Sequence, residues 1–415
     1  MTEAAQQRRS RPLGPAFSNL FGATLASNFA DGIARTVVPL LAARITDDAF
    51  LIGGVAALSM LPWLLFAIPS GILIDSVDRR HVLAAAQAGR VLLAPLILWL
   101  VWTDAMTIGW LYLITFVYGA LETLYDGAAR AIPPSIVDPA DLPRANGRIE
   151  SGELVTQQFL AGPISSAVFA VSVLAASGLP SVFYLAAGVL ALLLPAAASG
   201  RQHAHADDAR VPWYRQFADG WRFIIGHRML VILWLVSTAS GICLSMATSS
   251  AVLFVLGPLG VPEALFGLFM MSGAVGGLAG ALLADRAKRV LGFGPAVFAA
   301  ALLTSVATVL IGVLPNPWVA AACWAATALG ITLWNVLIVS LRQALIPGRL
   351  LGRVHGTWRT LLWGAMPLGS LLGGLLGRID LTLPFVVGGT VSTVVTLAAA
   401  GFLRRLPNPE DVVAA

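Results

Sequence analysis

The sequence predicts an all-α membrane protein: twelve transmembrane helices in two parallel six-helix repeats, with both termini cytoplasmic. Three observations predict it: the composition, a series of twelve apolar runs, and a lopsided distribution of arginine and lysine. Of 415 residues, 58% are hydrophobic and only 11% are charged, against about 25% charged in an ordinary soluble protein. Mean hydropathy is +0.83. A helix needs about 20 apolar residues to cross a bilayer, so twelve spans and short loops account for nearly the whole chain. No polar stretch is long enough to hold a soluble catalytic domain.

The runs fall at roughly 17–42, 51–74, 82–103, 108–132, 147–175, 180–199, 229–256, 264–284, 292–314, 317–341, 352–377 and 382–403. Most links between them are very short, which forces neighbouring helices to be antiparallel. With the N-terminus inside, 23 of the 26 basic residues, Arg90 among them, fall on the cytoplasmic side, as the positive-inside rule requires. Only Arg44 and Arg378 fall outside, and Arg35 sits within the first span. The chain thus divides into a cytoplasmic tail (1–16), a first six-helix half (17–199), a cytoplasmic central loop (200–228), a second half (229–404) and a second tail (405–415). No cleavable signal peptide is read in the polar first sixteen residues, because no short apolar segment with a cleavage site follows. In the central loop, Trp213, Phe217, Trp221 and Ile224 recur at three- and four-residue steps with Arg215, Asp219 and Arg222 between them. That spacing predicts a short amphipathic helix on the inner membrane surface.

The halves resemble each other. Arg130 precedes Ile132-Pro133 as Arg342 precedes Ile346-Pro347; Gly147-Arg148-Ile149 opens span five and Gly352-Arg353-Val354 opens span eleven. Gly162-Pro163 in span five corresponds to Pro367-Leu368-Gly369 in span eleven. Small residues there let helices approach closely, so Gly162, Pro163, Pro367 and Gly369 are read as packing residues. In a parallel repeat the substrate site falls between the halves near the bilayer midplane.

Charge inside the spans is the main functional signal, because a charged side chain at mid-bilayer costs about 2.5–3.5 kcal/mol on insertion scales. Asn28, Asp31 and Arg35 share one face of span one, and Glu122, Asp126 and Arg130 one face of span four. Asp31 with Arg35, and Asp126 with Arg130, stand at ion-pair spacing and read equally well as internal pairs. Glu122 has a like charge, Asp126, as its nearest neighbour on that face. It is therefore the first candidate for a reversible proton site, with Asp31 second, and Asp126, Asn28 and Arg35 complete the expected cavity.

After span two comes Gly71-Ile-Leu73-Ile-Asp75-Ser-Val-Asp78-Arg79-Arg80-His-Val-Leu83. This resembles the loop 2–3 signature of the major facilitator superfamily, with Ser76 and Asp78 departing from it. Span five resembles the superfamily's antiporter signature at Gly162-Pro163, but Ser166 stands where a glycine pair begins. Ser27 through Gly32, Leu142 through Arg148, and Pro367 through Ser370 are similar to the subgroup of drug and siderophore exporters that includes macrolide exporters and the enterobactin exporter. The resemblance implies the major facilitator fold and gating roles for Gly71, Asp75, Arg79, Arg80 and Arg130.

Other classes find no support. The basic residues are dispersed among short loops, with no patch for nucleic acid. Cys243 and Cys323 lack metal-ligand or redox spacing. His203 and His205 beside Asp207 and Asp208 read as a solvated loop. No phosphate-binding loop, nucleotide-binding motif or nucleophile triad points to an enzyme. The expectation is a monomeric secondary transporter of a bacterial inner membrane that needs no metal or cofactor. It would use the proton gradient to export a hydrophobic or amphipathic small molecule, such as an antibiotic or siderophore. The alternatives are a metabolite importer on the same fold and a non-transporting membrane sensor.

Overall fold

The computed structural model describes residues 13–199 and 213–413, and these are helical, with no strand among them. Eleven long helices, one shorter apolar helix and one short surface helix carry the architecture. They are α1 (Pro15–Ile45), α2 (Ala49–Ser76), α3 (Arg79–Trp102), α4 (Ile108–Ala131), α5 (Pro139–Val171, near-continuous), α6 (Val173–Leu192), α7 (Trp213–Ile225), α8 (Arg228–Thr248), α9 (Glu263–Leu291), α10 (Phe293–Val313), α11 (Pro317–Leu345), α12 (Gly348–Gly377) and α13 (Leu383–Ala398). Ten are long and apolar enough to cross a membrane. Of the remaining two, α1 is diluted by Asn28, Asp31 and Arg35, and α13 is short but apolar.

Caps set the starts. Asp48 accepts the Phe50 amide at 2.9 Å and Asp78 the Arg80 amide at 3.0 Å, each satisfying a donor at a helix N-terminus that has no partner within the helix. Ser172 caps α6 through the Ala175 amide at 3.1 Å. This cap places the start of α6 at Val173, seven residues before the expected position, and Pro180 lies inside the helix. Gly292 joins α9 to α10 without a loop, and its φ of 86° requires a residue lacking a Cβ.

Two groups of helices form the bundle. In the first, α1 packs on α5 and α6, α2 on α4, and α3 on α4 and α6. In the second, α8 packs on α12 and α13, α9 on α11, and α10 on α11 and α13. The groups meet along two main seams, α2 against α12 and α5 against α9. At the second seam, a Cβ on Gly267 would overlap the carbonyl of Gly162, so the backbones touch. Gly369 similarly lets α12 approach the Ile242 carbonyl of α8. Ser166 donates to the Ala264 carbonyl at 3.0 Å, so the residue that departs from the glycine pattern makes a bond across the seam.

The expected amphipathic helix is α7. It is docked rather than free: Ile224 is fully buried, Trp221 meets Trp234 edge-on at 5.3 Å, and Thr357 of α12 donates to the Phe217 carbonyl at 3.2 Å. His203, His205, Asp207 and Asp208 lie outside the described residues, as do most of the N-terminal tail and the last two residues of the chain.

Candidate functional site

Between the two groups lies an internal cavity of about 610 Å³. The first group supplies its charge through Asp31 and Arg35 of α1 and Glu122 of α4, along with Tyr118, Gln157, Gln158 and Tyr184. The second group supplies an apolar wall, including Phe266, Met270, Met271, Trp324 and Trp363. Gln157 and Gln158 fall in a π-helical turn of α5, Leu154–Leu160. A π-turn re-aims side chains within a helix, and such turns recur at functional sites.

The ion pairs differ from those expected by spacing along one helix. Asp31 does not pair with Arg35 but with Arg90 of α3, at 3.2 Å, where Arg90 is fully buried and Asp31 is 5% exposed. Tyr184 donates to the same carboxylate oxygen, Oδ1, at 2.7 Å. Arg90 also donates to Ser27 at 3.3 Å and to Gln87 at 3.4 Å, and its cation lies 4.8 Å from the Tyr184 ring. The assignment of Arg90 to the cytoplasmic surface is therefore corrected: it lies eleven residues into α3, inside the core. The signal in the sequence is Gln87 and Arg90, one turn apart in an otherwise apolar run.

Arg35 instead donates to Glu122 at 2.9 Å. Glu122 thus has a counter-ion, contrary to the sequence reading that left it only a like-charged neighbour. Arg35 is 56% exposed although it lies two-thirds of the way along a bundle helix, so its exposure is to the cavity. Arg130 turns away from Asp126 towards Glu150 at 3.5 Å and Glu153 at 3.8 Å on α5. Asp126 has no ion-pair partner within bonding distance among the described residues. Asn28 is buried at 7% exposure next to this cluster.

Of the expected gating residues, Arg79 donates to the Ala131 carbonyl at 2.8 Å and ties α3 to the end of α4. Arg80 pairs with Asp78 at 2.8 Å and donates to the Leu194 carbonyl at 3.1 Å. Hydrogen bonding to Arg80 holds the Asp78 carboxyl below the usual carboxylate range. These contacts stay within the first group of helices. A Cβ on Gly71 would meet open space, and the Asp75 side chain lies outside the described residues.

At the end of the bundle where α1 turns into α2, two bidentate pairs clasp the groups together. Arg44 holds Glu263 through contacts of 3.0 and 2.5 Å, and Arg378 holds Asp48 through contacts of 2.7 and 2.6 Å. Arg44 and Arg378 are the two basic residues that break the positive-inside pattern. Each guanidinium also stacks on an aromatic ring, Phe169 at 5.2 Å and Phe50 at 4.8 Å. At the opposite end, no ion pair joins the two groups among the described residues.

An all-helical bundle of membrane-spanning helices with a charged cavity between two helix groups has the architecture of a membrane transporter. Residues 20–361 match the Major Facilitator Superfamily, and the chain belongs to that family. It is 28% identical to the multidrug efflux pump Tap of Mycobacterium tuberculosis over 92% of this chain and 94% of that protein. In structure it resembles a bacterial homologue of the iron transporter ferroportin in the inward-facing state, with TM-score 0.72, 19% identity, and coverage of 94% of this chain and 100% of that one. It also resembles the nucleoside transporter NupG, with TM-score 0.69, 13% identity, and coverage of 95% and 100%. A multi-pass protein of a bacterial inner membrane fits these relatives and the apolar helices.

Proposed function

We infer that the protein is a proton-coupled exporter of a hydrophobic or amphipathic small molecule, an antibiotic or a siderophore, working as a monomer without a cofactor. The observation that carries this reading is the cavity, where three carboxylates and two arginines of one helix group stand at or just behind a wall that faces apolar side chains of the other. The likeness to a multidrug efflux pump supports export rather than import.

On this reading the two groups are parallel repeats with both termini cytoplasmic. The matched packing partners in each group support the repeat: α1 with α5 and α6 corresponds to α8 with α12 and α13, and α2 with α4 to α9 with α11. The clasped end then faces outward, and the molecule is closed outside and accessible from inside. Substrate enters from the inner side or the inner leaflet, and the groups rock to open outward. Protons arriving at Glu122 or Asp31 release the carboxylates from Arg35 and Arg90, a proton on Asp126 removes a further negative charge, and the substrate is discharged. Proton release inside resets the pairs. Asp75, Arg79, Arg80 and Arg130 act as the inner gate, with Gly71 giving the helix end room to move.

Flux into everted vesicles tests this. Uptake driven by an imposed proton gradient should collapse on addition of a protonophore, and uptake that persists refutes proton coupling. Glu122→Gln is expected to abolish the pH dependence of transport. If the dependence survives, the coupling site is not Glu122.

A further inference from the structure

We propose that Arg359, Trp63 and Trp363 form a subsite for the anionic group of an amphipathic substrate with a planar apolar body. The proposal rests on the transport reading above and adds the charge class of the substrate. Trp63 belongs to α2 and Trp363 to α12, so each helix group contributes one ring. The two rings meet edge-on at 6.0 Å, and both line the cavity. Trp63 lies about 21 Å along α2 and Trp363 about 23 Å along α12, close to the middle of each helix.

Arg359 precedes Trp363 by one turn. Its guanidinium carbon lies 4.5 Å from the Trp363 ring and 5.6 Å from Trp63. Stacking uses the face of the guanidinium, while its five N–H donors lie in the plane of the group. Among the described residues none of those donors is hydrogen-bonded, and no carboxylate forms an ion pair with Arg359. Asp126 and Arg130 lie within electrostatic range, and their opposite signs offset each other. Arg359 reaches the cavity only through the two indoles that line it, whereas Arg35, which lines the cavity itself, is bonded to Glu122, and Arg90 to Asp31.

An exposed, unpaired cation stacked on two cavity-lining indoles, about 17 Å along α12, is a receptor for a carboxylate, which takes a guanidinium in a two-point geometry. The apolar body of the ligand would then lie against the wall that includes Met270 and Trp324. The cavity is of the size that holds one drug-sized molecule. A cationic substrate would instead have to displace Arg359 from the same rings, which makes charge the discriminating variable.

The test uses the purified full chain in nanodiscs, reading quenching of tryptophan emission by 1-pyrenebutyrate, 1-pyrenebutanol and 1-pyrenebutylamine, each corrected with empty nanodiscs. The carboxylate is expected to bind about tenfold tighter than the alcohol, as for a charge-assisted hydrogen-bonded pair. Arg359→Gln should bring that ratio to about one, and Arg359→Lys, which keeps the charge without the fork, to about three. A wild-type ratio of one, a preference for the amine, or an unchanged ratio in Arg359→Gln overturns the proposal. If Arg359→Gln does not fold, the wild-type ratio and the lysine variant decide, and a lysine ratio still at tenfold removes the stacked fork. Failure of the transport reading looks different: the ratio holds, but vesicles show no gradient-driven flux of any compound.

Discussion

Removing the carboxylate of Asp31 should leave Arg90 as a buried charge without a counter-ion. The pair is 3.2 Å apart with Arg90 fully buried, which gives an attraction of about 5 kcal/mol at an effective dielectric constant of 20. Desolvation of both ions offsets most of that attraction in the intact protein. In Asp31→Asn the desolvation of Arg90 remains and the attraction is lost. Breaking a buried pair this way costs about 3–5 kcal/mol, and the contacts of Arg90 with Ser27 and Gln87 keep the expected loss at the low end, about 3 kcal/mol. Arg90→Met should cost a similar amount. The double variant should recover at least about 2 kcal/mol of the summed losses, because neither charge is then left alone. The assay is reversible unfolding in mixed micelles, run as a double-mutant cycle. Single and double losses that simply add would refute the buried pair, as would an Asp31→Asn protein within about 0.5 kcal/mol of wild type.

Two more predictions concern the clasped end. Gly267→Ala places a methyl group on the Gly162 carbonyl, and overpacking of this kind costs about 1–3 kcal/mol. Thiol-labelling of cysteines introduced along the α5–α9 seam should show that end opening, and unchanged labelling together with unchanged stability would refute the backbone contact. Arg378 holds the Asp48 carboxyl down to about 2, from an ordinary 3.8. A depressed carboxyl contributes stability above its unfolded pKa and loses it as pH falls through the folded value, so the clasp should survive acidification to pH ~4. Carbon-13 NMR of labelled aspartate should show a resonance titrating near 2 that Arg378→Gln returns towards 3.8. A wild-type midpoint that is already ordinary refutes the clasp.

Much of the fold was legible because lipid imposes it. A helix that must satisfy its own backbone and present apolar side chains is readable as a run of about 20 residues. Most ends fell within a few residues of those expected. The start of α6 lies seven residues earlier than the apolar run suggests, because Pro180 at the head of that run sits inside the helix, as a proline in a transmembrane helix can. The candidate site was legible by composition and not by pairing. Asn28, Asp31, Arg35, Glu122 and Asp126 do gather in one region, but spacing along a helix reports only neighbours on that helix. Asp31 finds its partner 59 positions away on α3, and Arg35 finds Glu122 87 positions away on α4. Those pairings depend on how α1, α3 and α4 rotate about their axes, which packing decides. Arg359 counts in the sequence only as one more cytoplasmic-side cation, since nothing in the chain around it discloses that Trp63 of α2 comes to meet it.

The placement of charge follows the mobility that alternating access would require. Asp31 and Arg90 are buried and both belong to the first helix group, so rocking of that group as a body does not pull them apart, and only a proton on Asp31 would part them. A buried pair is costly to break, and between two moving bodies it would hold the molecule in one state. The pairs that do join the groups, Arg44–Glu263 and Arg378–Asp48, are partly exposed, with arginine side-chain exposures of 46% and 48%. Water replaces such contacts at little net cost, so an exposed pair adds geometry and register more than stability. Their bidentate form and their stacking on Phe169 and Phe50 fix where the groups meet without making the meeting irreversible. The close glycine seam works the same way, since backbone contact between Gly162 and Gly267 is tight in shape but involves little apolar area. A bundle that had to stay shut would bury these arginines. On the transport reading, leaving them half in water lets the clasp open once per cycle.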